Sequence, residues 1–555
     1  QGDNRAMSTK KLKPRSGTPR HSRRPATATP LAAPARADVN ALQRDYLNVF
    51  NALDLNVDGT SDGHLTRQRL LAAFDSQGLL HRDQRLTHLM AQLAPLTDDE
   101  PIDCERFADM AGPNFGMLEK LAKGDLVIPR FAEFAHELGT IFDQCQANRD
   151  GAVADYIPQL ARVAPDQFGA AVCTTDGQRT AFGDSEVPFC VQSSCKPINY
   201  CMALEAMGEA AVHRHVGREP SGRSFNELAL NHQQLPHNPM INAGAIMSCS
   251  LIGRGLDTAD RFDAVMQTWQ QLAAGWRPGY HNAVYLSEKA TADRNFALSY
   301  VMREHQAFPA DTDILETLDF YFQCCSIEMT ASRMAVVAST LANGGVCPIT
   351  GTRVFSNDTV KNCLSLMYSC GMYDFSGEFA FSVGLPAKSG VSGVLMVVIP
   401  QVMGLAIWSP RLDQHGNSVR GVEFCRRLVG RFAFHNYDNV AETTGRLDPR
   451  RPPAREETDL TFHLIRAASQ GDVNEIARLI ALGLDLGVAD YDGRTALHLA
   501  ACEGQREVVE TLLLRGVDVD PVDRWGQRPA DDAARHGHDE IAERLRQASV
   551  AREAS

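Results

Sequence analysis

The chain has 555 residues, a formal net charge of −13 and 44% hydrophobic residues, the composition of a soluble globular protein too long for a single core. No stretch is apolar enough to span a bilayer, no signal-peptide core follows the N-terminus, and the 14 cysteines show no paired metal-ligand spacing, so a membrane protein, a secreted disulfide scaffold and a zinc module are all excluded. Charge is uneven: residues 1–40 carry nine Lys or Arg against Asp3 and Asp38, leaving −20 on the remainder and excluding a general nucleic-acid binder.

Residues 1–40 are basic and rich in Pro, Ser, Thr and Ala, and are expected to be a disordered tail. They share the acid-poor character of a mitochondrial transit peptide without its amphipathic face. Residues 41–151 show three-to-four spacing of apolar residues (Tyr46, Val49, Phe50, Leu53, then Leu70, Leu71, Phe74), which predicts a helical module. Within it the run Asp58-Gly59-Thr60-Ser61-Asp62-Gly63-His64-Leu65 follows an EF-hand loop until the twelfth position. Calcium needs a bidentate Glu there, and this chain has Arg69, so the module is read as EF-hand-like, used for packing and not for calcium.

Residues 152–440 mix strands and helices. Phe168 to Thr174 predicts a strand, Asp176-Gly177 a turn, and Val394 to Ile399 with Val402 to Trp408 an antiparallel pair near a sheet centre. Cys173, Cys249 and Cys324-Cys325 lie in apolar runs, as expected of reduced, buried thiols in an intracellular compartment. Residues 441–460 are rich in Pro and charge and read as a linker. From 461 to 548, Gly471, Gly504 and Gly537 recur every 33 residues, and Gly493-Arg494-Thr495-Ala496-Leu497-His498-Leu499-Ala500-Ala501 is echoed by 526–534. That period and core sequence identify ankyrin repeats. Roughly two and a half repeats are expected, too few to stand alone, so this segment should lean on another part of the protein or on a partner.

The chemistry is concentrated in Val191-Gln192-Ser193-Ser194-Cys195-Lys196-Pro197. Pro197 fits only the first turn of a helix, which places the helix start at about Ser193, with Ser193 and Lys196 on one face. A lysine acts as a base at neutral pH only if its pKa falls from about 10.4 toward roughly 7–8, and the positive end of the helix dipole assists that fall. Ser194 is one residue too close to Lys196 for the same role. Lys388-Ser389-Gly390, leading into the Val394 strand, resembles the Lys-Thr-Gly element of penicillin-binding proteins and serine β-lactamases, which faces a Ser-x-x-Lys helix.

These segments, with Asp155-Tyr156-Ile157-Pro158-Gln159-Leu160, Pro188-Phe189-Cys190-Val191-Gln192-Ser193, Asn242-Ala243-Gly244-Ala245, Met372-Tyr373-Asp374-Phe375-Ser376-Gly377 and Pro386-Ala387-Lys388-Ser389-Gly390-Val391, resemble the glutaminases in their long, kidney-type form. The resemblance covers about residues 41–545. It implies a multidomain α+β protein: a catalytic domain of the β-lactamase and penicillin-binding-protein type, with an antiparallel sheet and a helical cluster, between the EF-hand-like module and the ankyrin repeats. It implies hydrolysis of L-glutamine to L-glutamate and ammonia through a γ-glutamyl ester, with Ser193 as nucleophile and Lys196 as general base. Tyr373 would relay the serine proton, Tyr156 would help protonate departing ammonia, and the N–H groups of Ser193 and Val391 would form the oxyanion hole. Glu288 would meet the substrate ammonium, with Asn242, Asn295 and Tyr321 holding the same end alongside Ser193, Tyr373 and Val391.

The resemblance further implies no metal and no cofactor, phosphate or another anion as activator, and a homotetramer able to form filaments. Ankyrin-mediated protein contacts, no nucleic acid and no membrane complete the expected partners; the compartment would be the cytoplasm, or the mitochondrial matrix in a eukaryote. One departure concerns the activation loop at 222–230, where Glu227 and Ala229 stand in place of the kidney-type lysine and phenylalanine, so the response to phosphate is expected to be altered. Two rivals remain at this level: another serine acyl hydrolase of the same fold, and an ankyrin scaffold carrying an inactive enzyme domain.

Overall fold

The computed structural model describes residues 46–438, apart from 48, 52, 54–64 and 223–227, and residues 446–553, apart from 451–452 and 482–483. The basic tail, the acidic part of the 58–69 loop and Glu227 therefore lie outside the described residues. In the N-terminal segment two short strands, β1 (Leu65–Thr66) and β2 (Pro101–Ile102), pair antiparallel with Leu65 opposite Ile102. Each runs into a capped helix. Thr66 accepts a hydrogen bond from the Arg69 amide at the start of Arg67–Ser76, and Asp103 accepts one from Arg106 at the start of Cys104–Ala111, satisfying donors that a helix start leaves open. Leu70, Phe74, Leu89, Leu93, Phe107 and Leu118 fill the small core between them.

The helix Phe131–Gln146 does not belong to that core, although sequence position grouped it there. Its buried face packs on a five-stranded sheet, with Phe142 stacked on Phe168 at 4.1 Å and Phe134 edge-on to Phe432 at 5.0 Å. Helical spacing shows that a face is apolar; it carries no information about which layer will cover it.

The remaining strands are β3 (Gly169–Thr174), β4 (Arg179–Gly183), β5 (Phe189–Cys190), β6 (Gly279–Tyr280), β7 (Ile327–Met329), β8 (Ala387–Gly390), β9 (Val394–Ile399) and β10 (Met403–Trp408). Five of them form an antiparallel sheet in the order β4-β3-β10-β9-β8, and β5-β7-β6 form a second, smaller sheet. The expected 394–408 pair is β9 and β10, with β10 in the middle. Both are apolar throughout because both faces are covered: Val394, Met396 and Val398 enter the large helical lobe, while Leu395, Val397 and Ile399 pack against the Phe131–Gln146 and Val419–Arg431 layer. Lys388-Ser389-Gly390 is itself part of a strand, β8, paired with β9 across the 391–393 turn, where a lead-in to the next strand was expected.

The N-terminal segment grips the Asp176-Gly177 turn. Gln178 accepts from the Ile128 amide at 2.9 Å and donates to the Ile128 carbonyl at 3.0 Å, while the Val127 amide donates to Asp176 at 2.7 Å. Asp83, whose side chain is wholly buried, pairs with both Arg85 and Arg179. Removing one partner of such a buried cluster leaves an uncompensated charge, at a cost of about 3–5 kcal/mol.

Beyond the catalytic domain, three helix pairs follow: Pro453–Gln470 with Val473–Ala481, Ala496–Cys502 with Arg506–Leu514, and Pro529–Arg535 with Asp539–Glu553. They bury a core of their own, including Leu464, Ile476, Leu497, Val508, Leu512, Ile541 and Leu545. This corrects two expectations. There are three pairs, so the segment needs no outside support for its core, and its first helix starts at Pro453, inside the expected linker. The first pair lacks the Thr-Ala-Leu-His signature, and a Pro at a helix start reads in sequence like a loop residue. Among the described residues no helix is long and apolar enough to cross a membrane.

Gly404 in β10 shows how tightly the helix Ala331–Ala342 lies on the sheet. A Cβ there would fall 2.1 Å from the Ser339 nitrogen and 2.3 Å from the Ala338 carbonyl carbon, backbone atoms that cannot rotate away. Gly404→Ala is expected to lower unfolding stability by about 3 kcal/mol or more, the upper end for overpacking, read from chemical denaturation of the full chain; a variant of unchanged stability would show this contact to be loose.

Candidate active site

Strand β5 delivers the chain to Ser193. Val191 donates to the Ile327 carbonyl at 2.8 Å, continuing the β5–β7 pairing, and the backbone then turns sharply with Gln192 at φ +48°. Gln192–Cys195 form a single 3-10 turn before the α-helix Lys196–Met207, which has Pro197 in its first turn. The α-helix thus starts three residues later than expected. In a 3-10 turn residues i and i+3 eclipse, so Ser193 and Lys196 still share one side. The amide and hydroxyl of Ser194 both donate to the Val191 carbonyl, at 2.9 and 2.6 Å, so that serine closes the turn and its hydroxyl is committed. β8 crosses directly over it: a Cβ on Gly390 would lie 2.8 Å from the Val191 oxygen, which is why the third residue of Lys388-Ser389-Gly390 has no side chain.

Lys196 is completely buried, and its Nζ donates to Asn242 Oδ1 at 2.7 Å. Burial brings its pKa down to about 8, with the Cys325, Cys195 and Cys249 thiols and Glu288 acting weakly the other way. Loss of hydration is what lowers it. Asn242 opens the helix Asn242–Leu251; it donates to Asn295 Oδ1 at 3.2 Å and accepts from the Tyr321 hydroxyl at 3.4 Å. Four residues from four helices therefore form one polar chain, Lys196–Asn242 with Asn295 and Tyr321. Burial raises the Tyr321 phenol well above its usual range, so it remains a neutral donor.

Glu288, on the helix Asn282–Ala290, accepts at Oε1 from the Tyr156 hydroxyl at 2.6 Å and from Gln192 Nε2 at 3.0 Å. Burial raises the Glu288 pKa, and these two donors partly oppose that. Tyr156 is 46% exposed as a residue, yet its hydroxyl is tucked against the carboxylate and its pKa is raised by burial first and Glu288 second. The structure thus places Tyr156 as a donor to Glu288. Tyr373 starts the turn Tyr373–Phe375 at φ +54°. Its hydroxyl lies 3.2 Å from the Ser389 carbonyl and is hydrogen-bonded to Ser193. A cavity of ≈ 560 Å³ beside it is lined by Met240, Ile241, Cys370, Tyr373 and Ser376. Val391 follows β8 and packs on Ile157, Leu160 and Val284.

The structure therefore gathers the expected residues into two linked groups, one around Lys196 and one around Glu288, with Ser193, Gln192 and Tyr373 between them. Sequence reasoning assigned no role to Gln192, whose amide reaches Glu288 only because its backbone is left-handed. It also took Lys388 as a fold marker alone, whereas its Nζ lies 4.5 Å from the Tyr373 ring centre. No spacing rule signals either. Among the described residues no cluster of His, Cys, Asp or Glu could hold a metal ion.

The family model for glutaminase matches residues 151–437, and that for ankyrin repeats in three copies matches 464–553. The mouse mitochondrial liver-isoform glutaminase is 45% identical over 444 residues, covering 79% of this chain and 74% of that protein. A glutaminase from Nostoc is 41% identical over 323 residues, covering 58% of this chain and 95% of the other. Among solved structures, a probable glutaminase from Bacillus subtilis in complex with 6-diazo-5-oxo-L-norleucine matches with TM-score 0.50 and 32% identity, over 54% of this chain and 96% of its own. The protein carrying this constellation belongs to the glutaminase family.

Proposed function

We propose that this glutaminase cleaves the side-chain amide of L-glutamine through a γ-glutamyl ester on Ser193. The observation that carries the reading is a buried lysine with a pKa of about 8, three residues from a serine whose hydroxyl is bonded to a tyrosine. Neutral Lys196 takes the Ser193 proton as Oγ attacks the amide carbon. The developing oxyanion is received by the N–H groups of Ser193 and Val391. Collapse expels ammonia, with Tyr373 relaying the serine proton and Tyr156 helping to protonate the departing nitrogen, and water then releases glutamate by the reverse proton path. Glu288 receives the substrate ammonium, steadied by Tyr156 and Gln192, while Asn242, Asn295 and Tyr321 supply directional hydrogen bonds to the same end.

The N-terminal pair of strand–helix units supports an EF-hand-like packing module, with Arg69 in place of the calcium-binding acid. In the repeats, Tyr491 is 96% exposed and Trp525 56% exposed, with Arg524 stacked 4.4 Å over Trp525. That is the composition of a protein-binding hot spot, and it supports ankyrin-mediated contacts. Phe381 and Tyr437, both strongly exposed beside His435, offer apolar surface for assembly into a homotetramer and filaments. The compartment is the cytoplasm, or the mitochondrial matrix in a eukaryote, a reading supported by the mouse relative's being named mitochondrial.

Four outcomes test this reading. Ser193→Ala should abolish ammonia release, while the wild-type kcat/KM should rise as pH passes about 8; the sign follows because the base is the neutral amine, present above its pKa. Residual turnover in Ser193→Ala would sink the mechanism. Phosphate should activate with a curve different from that of a kidney-type enzyme because Glu227 reverses a charge in the activation loop, and superimposable titrations would refute this. Sedimentation of the full chain should show a tetramer; a monomer at micromolar concentration would remove the assembly proposal.

A further inference from the structure

We propose that Lys388 is a positioning residue for the reaction: it holds the Tyr373 phenol against Ser193 and places a fixed positive charge that Lys196 senses. The proposal rests on the reading of Ser193, Lys196 and Tyr373 given above. Lys388 has no exposed surface. Its Nζ donates to the Ser389 carbonyl at 2.7 Å and the Gly371 carbonyl at 3.1 Å, and lies 4.5 Å from the centre of the Tyr373 ring. An ammonium has three N–H donors and no acceptor, and two carbonyls and a π face are three electron-rich partners. A neutral amine would turn its lone pair toward one of them. The three partners therefore favour the cation by geometry, against burial first and the neighbouring Lys196 second, which push the pKa of Lys388 well below the usual lysine range.

The groups that Lys388 joins are those that define the Tyr373 position. Gly371 lies two residues before Tyr373, and its carbonyl also accepts from the Ser389 amide at 3.1 Å. Ser389 follows Lys388, and its carbonyl also receives the Tyr373 hydroxyl at 3.2 Å. Tyr373 itself is left-handed at φ +54°, a conformation that costs a non-glycine residue about 1–3 kcal/mol and persists only where the surroundings over-determine it. Lys388 thus ties the residue that leads into the strained turn to the strand carbonyl that receives the Tyr373 hydroxyl, and its ammonium lies against the ring. With every N–H engaged and no access to solvent, it acts through Tyr373 and does not touch the substrate.

The electrostatic part has defined neighbours. Lys388 faces Lys196, Cys195, Cys370 and Tyr373; Lys196 faces Cys325, Cys195, Cys249, Glu288 and Asn242. Burial raises the Cys370 thiol and the Tyr373 phenol, and the Cys325 thiol is raised first by its hydrogen bond with Cys195. Glu288 is the acid in this set, and it acts on Lys196. A charged Lys388 therefore opposes protonation of Lys196, and losing that charge lets Lys196 hold its proton to higher pH.

The test uses the full-length enzyme with Lys388→Met and, because a buried substitution can disturb folding, Lys388→Gln, which keeps an N–H donor without the charge. Folding is checked by circular dichroism before kinetics. For both, kcat is expected to fall about tenfold or more with KM within about threefold, as for loss of an aid to proton transfer. The acid limb of kcat/KM should move to higher pH by about half a unit or more, and Lys388→Arg should return it toward the wild-type position. A fall in kcat with an unmoved acid limb would leave a purely structural lysine and overturn the proposal, as would wild-type kcat in either folded variant. An active Ser193→Ala would overturn the parent mechanism instead, so the two failures are distinguishable.

Discussion

A lysine amine held wholly inside the protein, with an amide oxygen in place of a carboxylate as its hydrogen-bond partner, is the constraint on which the catalytic half of this molecule depends. An unpaired ammonium is costly in an interior, so burial lowers the Lys196 pKa to about 8, and the structure must keep that environment dry and fixed. Asn242 faces the amine and is itself held by Asn295 and Tyr321. Ala243, Gly244 and Ala245, which follow Asn242 in its helix, are buried, and a Cβ on Gly244 would fall 1.9 Å from the Asn238 carbonyl oxygen. Packing and chemistry are thus one requirement: loosening the helices would let water in and return the amine to its protonated form.

The second device is strain at two points on opposite sides of Ser193. Gln192 and Tyr373 both occupy the left-handed region, where a side chain costs energy that the surroundings must offset. At Gln192 the offset comes from β5 pairing on one side and the Ser194 turn on the other; at Tyr373 it comes from β8 and the Lys388 ammonium. Each departure aims a side chain that a regular element would have turned elsewhere, the Gln192 amide at Glu288 and the Tyr373 phenol at Ser193. The sheet edge and the helical lobe meet at this serine, and β8 can pass over it only because Gly390 carries no Cβ.

Much of this was legible in advance, for identifiable reasons. The apolar runs of β9 and β10 marked a sheet covered on both faces, since no other setting tolerates apolar residues at every position. The 33-residue period marked the repeats, because each repeat solves the same packing problem. Pro197 located the catalytic helix to within one turn. Helix Phe131–Gln146 was assigned to the wrong layer, and Pro453 was taken for a linker residue, because a local pattern states that a helix is amphipathic, or can begin, without naming its partner. The first ankyrin pair lacks the Thr-Ala-Leu-His signature and is marked in the period by Gly471 alone, although its Leu464 and Ile476 fill the same core as the others.

For this protein the sequence by itself determined the chemical inventory: a serine and a lysine three apart, three tyrosines, a carboxylate and two amides at motif positions, and a family resemblance that named the reaction. It determined these because residue identity and short spacing are local properties, written in order along the chain. Tertiary structure alone decided how they are used. Lys196 has its pKa lowered through burial by helices distant in sequence, Tyr156 turns to Glu288 across 132 residues, and Lys388 reaches the Gly371 carbonyl and the Tyr373 ring. Desolvation, hydrogen-bond direction and backbone strain arise only when separate segments are packed together, so no reading of neighbours along the chain could have supplied them.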